Sequence, residues 1–133
     1  MGAAPVDFVL VSLLVLPLFV AILQIGLALY VRNTMAACAH DGARYAASWE
    51  IVALGDESVR RSAVDHATNC IAQSLSGRFA RDVVANTEYR TEDGGAALPV
   101  VEVRASTDVP LVGFLGRGPR MIRVTGLALE ERW

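Results

Sequence analysis

Two cysteines and two histidine–aspartate pairs are the residues whose types and spacing could support chemistry. Cys38 and Cys70 are too few for a disulfide framework but could form one bridge. His66 and Cys70 are four residues apart, so together with Cys38 they could supply three ligands to zinc. No fourth ligand is evident, so a solvated helix surface is the favoured interpretation of His40-Asp41 and Asp65-His66. We therefore predict neither a metal site nor another cofactor.

No motif in the sequence is typical of an enzyme active site. Neither histidine has a serine or cysteine nucleophile in a recognisable motif. The glycines Gly113, Gly116 and Gly118 do not form a phosphate loop, because there is no GK[ST] motif and the chain contains no lysine. The aromatic residues are too dispersed to stack nucleic-acid bases, and the net charge of −2 argues against nucleic acid as a partner. The sequence therefore predicts a protein that is not an enzyme.

The longest apolar stretch, residues 8–31, is expected to cross a membrane. As a helix it would be about 36 Å long, which exceeds the roughly 30 Å hydrocarbon core of a bilayer. Its interruptions, Ser12, Pro17, Gln24 and Gly26, carry no charge. A chain of 133 residues cannot bury such a helix inside a soluble core.

Three kinds of membrane signal compete for this stretch. A secretory signal removed after its apolar core is disfavoured, because this core is too long and no basic residue precedes it. An uncleaved signal-anchor fits the length. In a prepilin-type signal, a peptidase cuts before the apolar stretch and leaves it on the mature protein.

The charges that flank the stretch leave its topology open. Residues 1–7 contain no lysine or arginine and Arg32 follows the stretch, which taken literally favours a cytoplasmic domain. The opening Met1-Gly2, without a basic leader, instead suggests a start codon assigned too late or a trimmed chain.

Asp7 stands at the N-terminal edge of the apolar stretch, where a carboxylate that entered hydrocarbon would cost roughly 2.5–3.5 kcal/mol. It could stay at the headgroup level and cap the helix N-terminus, where the helix dipole favours negative charge. It could instead pair with the free α-amino group of a neighbouring subunit.

Several N-terminal motifs occur together in the first third of the chain. Gly2 precedes small residues, Asp7-Phe8 opens the apolar stretch, and Pro17 lies inside it. A Tyr-x-Arg-Asn exit follows at residues 30–33, and Gly-Ala-Arg-Tyr-Ala-Ala at residues 42–47. Together these motifs resemble the N-terminal signature of TadE-like proteins of the tight-adherence pilus system.

This resemblance implies cleavage by a prepilin peptidase between Gly2 and Ala3, which would leave Asp7 as the fifth mature residue. Asp7 would then neutralise the new amine of Ala3 on a neighbouring subunit. Family members usually carry Glu here, which is one methylene longer than Asp. The implied partners are the lipid bilayer, the prepilin peptidase, other pilin or pseudopilin subunits and the inner-membrane platform of the tight-adherence system.

The chain is expected to have a pilin-like α+β fold in three segments. Residues 1–7 form a leader remnant and cleavage region, residues 8–31 a transmembrane helix, and residues 32–133 an extracytoplasmic domain. The first helix should continue to about Trp49, with a packed face that consists of Met35, Cys38, Gly42, Tyr45 and Trp49.

A second helix and three strands should complete the domain. The helix should be capped by Asp56 or Ser58 and end at Gly77, with an apolar face of Val59, Ala63, Ala67, Cys70, Ser74 and Leu75. Alternation in residues 82–90, 100–107 and 121–130 predicts an antiparallel meander that the helices cover. The dispersed aromatic residues should mostly fill the small core: Tyr45, Trp49, Phe79, Phe114 and Trp133.

The positions of the two cysteines favour a disulfide. Cys38 precedes the turn near Trp49 by about as many residues as Cys70 follows the helix start near Glu57, which places both at nearly one height in an antiparallel pair. If the domain is outside the cytoplasm, we expect a bridge that stabilises it by roughly 3–4 kcal/mol. The alternative is two buried thiols in a helix interface.

The resemblance therefore implies a bacterial TadE-like minor pilin or pseudopilin of a tight-adherence pilus or related secretion system, assembled through its N-terminal helix. It would be a single-pass protein of the cell membrane or the pilus, with its C-terminal domain outside the cytoplasm. The alternative is a membrane-tethered binding or sensor module without pilus assembly.

Overall fold

The computed structural model describes residues 3–91, 95–109 and 120–131 of the chain. Within these residues a long apolar helix is followed by two further helices and a three-stranded sheet. The elements are α1 Ala3–Ala46, α2 Trp49–Val52, α3 Asp56–Ser74, β1 Asp82–Thr91, β2 Ala97–Val109 and β3 Arg120–Leu129. The predicted α+β fold is confirmed.

Helix α1 is uninterrupted over 44 residues and joins the apolar stretch to the folded domain. Pro17 lies inside it and removes one backbone hydrogen bond without ending the helix. The helix ends at Ala46, slightly before the predicted end near Trp49. The predicted continuity between the apolar stretch and the domain is therefore confirmed.

The packed face of α1 begins at Val31 and consists mainly of small side chains. Val31, Met35 and Cys38 are at most 2% exposed. Tyr45 and Trp49, which were predicted on this face, are 50% and 59% exposed, so that part of the prediction is wrong. Alanines take the positions towards the end of the helix: Ala39, Ala43, Ala46 and Ala47.

Alanines fill this face because neighbouring elements approach the backbone of α1 closely. A Cβ atom on Gly42 would lie 2.9 Å from both the carbonyl oxygen of Ala63 and the Cβ of Ala67 on α3. A Cβ atom on Gly126 of β3 would overlap the backbone at Ala39. Aromatic rings do not fit between elements at this separation, which explains why the ring of Tyr45 lies outside.

The other predicted core aromatics have different positions. Phe79 is partly buried against the core. Phe114 and Trp133 lie outside the described residues, as do Gly113, Gly116 and Gly118.

Helix α3 begins and ends at residues other than those predicted. Gly55, rather than Asp56 or Ser58, is the N-cap residue, with a φ of 99° that favours glycine over other residues. The C-cap is Leu75, so the C′ residue is Ser76 rather than the predicted Gly77. Residues four apart form the buried face, and they include one isoleucine outside the predicted set: Val59, Ala63, Ala67 and Ile71.

The sheet is an antiparallel meander with strand order β1-β2-β3, as predicted. In its register, Ala85 pairs with Val103 and Val103 with Gly126, so these three residues share the face that α1 and α3 cover. Neighbouring positions on that face are also buried or half-buried. Period-two alternation therefore places one face of every strand in the core.

Beyond β3, the chain is fastened to the end of α1. The backbone N–H of Glu131 donates to the carbonyl oxygen of Ala47 at 2.9 Å. Because Gly126 also lies against Ala39, β3 runs in the same direction as α1. Helix α3 runs in the opposite direction, since Gly42 lies between Ala63 and Ala67 whereas Cys38 contacts the later Cys70.

Candidate functional site: the exposed part of helix α1

No side chain of residues 4–30 of α1 is buried, and most of them are exposed. Consecutive residues 13–16 are all exposed, so no single face of the helix packs against the domain. Leu13 and Leu14 are 71% and 72% exposed. Helices in water-soluble domains hide one apolar stripe, whereas this one is apolar all round and needs another apolar environment.

This surface meets the physical requirements of a membrane span. Residues Ala4–Ala46 contain an 18-residue window with a mean hydropathy of 2.8, and none of that window is buried. The helix satisfies its own backbone hydrogen bonds, apart from the interruption at Pro17, as a span in hydrocarbon must. Length and composition therefore allow α1 to cross a bilayer.

Asp7 lies inside α1 rather than in front of it. The helix begins at Ala3, so Asp7 is its fifth residue and lies beyond the first turn. An N-cap side chain must precede the free N–H groups, and the dipole effect falls off within the first turn. The interpretation of Asp7 as an N-cap is therefore wrong. The predicted cleavage residue Gly2 lies outside the described residues, and Ala3 is the first described position.

A disulfide joins the packed part of α1 to α3. The sulfur atoms of Cys38 and Cys70 are bonded, and their Cα atoms are 5.6 Å apart. Cys38 is 2% exposed and Cys70 is partly buried. Sulfur atoms joined in a disulfide are not thiolates and do not serve as zinc ligands, and the described residues contain no group of three possible metal ligands.

The same alignment of helices brings together two residues that the sequence shows far apart. His66 Nε2 lies 3.2 Å from Asp41 Oδ2, and the imidazole stacks on Tyr45 with ring centroids 4.6 Å apart. The Asp41 and His66 side chains are 67% and 37% exposed, so water surrounds the cluster. It contains no serine or cysteine nucleophile and has the character of a surface contact between helices.

The sequence pattern grouped His66 with Asp65 and the two cysteines, but not with Asp41 or Tyr45. The partners that the structure gives His66 lie on the other helix. The signal that could have found them is the cysteine pair: Asp41 follows Cys38 by three residues and His66 precedes Cys70 by four. Antiparallel helices that meet at the cysteines must therefore bring Asp41 and His66 to one level.

Two short ion pairs occur elsewhere on the domain. Arg60 donates to Glu57 at 2.6 Å at the start of α3, and this hydrogen bond lowers the pKa of Glu57. Arg104 donates to Glu102 at 2.6 Å on β2, which raises the pKa of Arg104. Neither pair lies near the exposed part of α1.

Comparison with protein-family models gives one match for the N-terminal part of this chain. Residues 2–44 match the family model of TadE-like proteins. The resemblance predicted from the N-terminal motifs is confirmed over this segment. The curated proteins and the solved structures that were searched gave no match.

The TadE-like segment extends through nearly all of α1. It includes Gly2, Asp7 and Pro17, and it ends at Arg44, two residues before the helix ends. It therefore contains both the exposed apolar surface and most of the face that packs in the domain. Together with the apolar helix, the match indicates a membrane-anchored protein whose N-terminal part is similar to TadE-like proteins.

Proposed function

We propose that this chain is a TadE-like minor pilin or pseudopilin of a tight-adherence pilus or a related secretion system. The observation that carries the proposal is the continuity of α1, whose exposed apolar part is joined without a break to the core of the domain. Within the TadE-like segment, the same helix can hold the subunit in a bilayer and fix its domain beside other subunits.

The exposed part of α1 would have two successive environments. Before assembly, lipid would cover its apolar side chains; after assembly, the corresponding helices of other subunits would replace the lipid. Exposure on all sides suits both states, since a helix in a bundle has neighbours in several directions. Gly26 has open space around it and would permit close approach of a second helix.

Asp7 would act between subunits. It lies one turn inside an apolar helix, next to Val6 and Phe8, which are 57% and 73% exposed. Burying either a carboxylate or an amine alone among such side chains is costly, so the Asp7 carboxylate and the new Ala3 amine of a neighbour would neutralise each other.

The domain boundaries and location follow from this assignment. Residues 1–7 would contain the cleavage region, residues 8–31 would cross the membrane once, and residues 32–133 would lie outside the cytoplasm. The Cys38–Cys70 bridge supports that side of the membrane, because disulfides persist in oxidising compartments. The partners would be the prepilin peptidase, other pilin subunits and the inner-membrane platform.

The N-terminus of the mature protein tests this function. In the host, we expect sequencing and mass spectrometry to find Ala3 as the first residue, because the peptidase would cut after Gly2. Gly2→Val should leave the precursor uncut, since a bulkier side chain would occupy the position before the cleaved bond.

Gly26→Val is the matched control, because it makes the same change in a part of α1 with open space. It should be cleaved normally. A wild-type chain that keeps the residues before Ala3 would contradict the proposal and favour the tethered binding or sensor module.

A further inference from the structure

We propose that the end of the domain nearest the bilayer binds the phosphates of anionic lipid headgroups through Arg78 and Arg81, beside Arg32 at the exit of α1. We refer to this end of the domain as the membrane-proximal end. The inference rests on the anchoring of α1 in a membrane. It does not depend on cleavage, on pilus assembly or on which leaflet the domain faces.

Helix α3 places the turn that carries these arginines at the level where the apolar stretch ends. Cys38 lies about 10 Å along α1 beyond Val31. From the contact with Cys38, α3 runs back towards the bilayer, and its last residue, Ser74, lies about 6 Å further in that direction than Cys70. The turn at residues 75–81 therefore lies within one helical turn of the level of Val31.

The sheet independently places its strand ends at the level where the apolar stretch of α1 ends. Gly126 lies against Ala39, which is about 12 Å along α1 beyond the end of the apolar stretch. Strand β3 runs parallel to α1, and Met121 precedes Gly126 by about 16 Å of extended chain. Met121 therefore also lies close to the exit of α1, and the strand ends near it share that level.

The residues at this level form a groove with cationic and hydroxyl groups. Arg78 and Arg81 line it together with Ser106, Thr107 and Met121. Both arginines are exposed, and neither forms an ion pair within the residues that the structure describes. Guanidinium groups bind phosphate oxygens through paired hydrogen bonds, and the hydroxyl of Thr107 can donate a further one.

Two carboxylates also line the groove. Asp82 accepts a hydrogen bond from the hydroxyl of Ser106 on the neighbouring strand, so one of its oxygens is already engaged within the sheet. Asp108 is the second acidic residue in the groove. Arg32, Arg78 and Arg81 outnumber these two carboxylates, which leaves the membrane-proximal end cationic among the described residues.

The position of the groove indicates that the phosphates it binds belong to lipid headgroups. A bilayer that contains the apolar stretch has its headgroups where the stretch ends, and this is the level of Arg78 and Arg81. The aliphatic stem of an arginine can lie along apolar surface while its guanidinium remains at the headgroups. Arg78 lies 5.9 Å from the centre of the Phe79 ring, which provides such a surface. Each arginine near an anionic surface should strengthen association about fivefold.

Lipid selectivity of the full chain tests the proposal. The wild-type chain is reconstituted in phosphatidylcholine bilayers, and spin-labelled lipids report the association constant of phosphatidylglycerol relative to phosphatidylcholine. We expect a preference for phosphatidylglycerol that falls at least fivefold when Arg78→Gln and Arg81→Gln are combined. An unchanged preference in this double variant would overturn the proposal.

The double variant Arg60→Gln/Arg61→Gln is the matched control. It removes the same charge from the other end of α3, where both arginines lie within 4 Å of Glu57. It should retain the wild-type preference, and a loss equal to that of the first variant would mean that only total charge matters and would contradict the proposal.

Two further measurements use the wild-type chain and need no substitution. High salt should abolish the preference, because it screens exposed charges, and a preference that persisted would contradict a phosphate contact. Free glycerol phosphate is titrated into the chain in phosphatidylcholine bilayers by calorimetry. Absence of binding heat supports the lipid as the source of the phosphate, whereas saturable binding would identify a soluble phosphate as the ligand and overturn the lipid assignment.

Discussion

Cys38 and Cys70 determine how two helices of the domain are aligned. Their bridge crosses the interface of α1 and α3 at a sequence separation of 32 residues. It lies about 10 Å along α1 beyond the end of the apolar stretch, and it precedes the contact at Gly42 by about one helical turn. A covalent link at this point restricts the unfolded chain and fixes which residues of α1 and α3 lie at the same level in the fold.

Removing this bridge should destabilise the domain. For Cys38→Ser combined with Cys70→Ser, we expect the free energy of unfolding to fall by about 3–4 kcal/mol, because the unfolded chain regains the entropy of an open loop. Urea unfolding of the full chain in detergent, followed by circular dichroism, measures the change.

Reductant provides the control for the cysteine variant. It should lower the stability of the wild-type protein to nearly that of the double serine variant and leave the variant itself unchanged. If reductant shifts neither midpoint, the cysteines do not form the bridge in the folded protein.

Some contacts between residues could be predicted from the sequence, and others could not. The equal height of the two cysteines follows from the rise of a helix alone. The pairing of Asp41 with His66 could be predicted only after the cysteines had aligned α1 with α3. The exposure of Tyr45 and Trp49 could not be predicted from their apolar character, because it depends on how closely the backbones of other elements approach α1.

At the scale of elements, β3 lies directly against α1. Gly126 allows the strand to lie directly on the backbone of α1 at Ala39. The same approach explains why the facing side chains of α1 are alanines. The glycine on β3 and the alanines on α1 together permit this close packing.

A side chain at Gly126 should therefore separate the elements. For Gly126→Ala, we expect a loss of about 1–3 kcal/mol in the free energy of unfolding, because the added methyl group meets backbone atoms that cannot move independently. Chemical denaturation of the full chain measures this change.

Gly77→Ala is the comparison, since a Cβ atom there meets no atom within 4 Å. Its unfolding midpoint should stay near that of the wild-type protein. Equal midpoints for the two variants would show that β3 does not approach α1 as described.

Most elements could be predicted from periodicity, whereas their ends and contact surfaces could not. Alternation identified the three strands and their inward faces, because each strand has one covered face. The short helix α2, Trp49–Val52, has too few residues for a periodic signal. Gly55 is the N-cap of α3 because the chain has a positive φ there. A preference for side chains that cap helices does not reveal this requirement.

At the scale of the whole molecule, the exposed part of α1 and the folded domain have separate roles in our proposal. The TadE-like match stops at Arg44, so it identifies the helix and not the sheet that α1 supports. Sequence motifs could therefore predict the kind of anchor. The groove at the membrane-proximal end could not be predicted, because its residues come from a turn and three strands that only the fold brings together.

Assembly should depend on the charge of Asp7. We expect Asp7→Ala to insert in the membrane normally but to enter pili poorly, because a buried amine without its partner costs about 3–5 kcal/mol. Carbonate extraction measures insertion, and the amount of subunit in sheared pili measures incorporation.

Asp7→Glu keeps the charge and is the control, which should assemble at least as well as wild type. Asp7→Asn keeps the shape but not the charge, and it should behave like Asp7→Ala. Full incorporation of the Asn variant would show that shape rather than charge matters at this position.

The unbroken helix between the apolar stretch and the domain also couples rotation inside the membrane to rotation outside it. No loop lies between residue 3 and residue 46 to absorb a twist. One residue inserted near the exit of α1 would turn the domain by about 100° and raise it by about 1.5 Å. In the proposed assembly, the packing of the apolar helices against each other would therefore decide which side of the domain faces a neighbouring subunit, before any two domains touch.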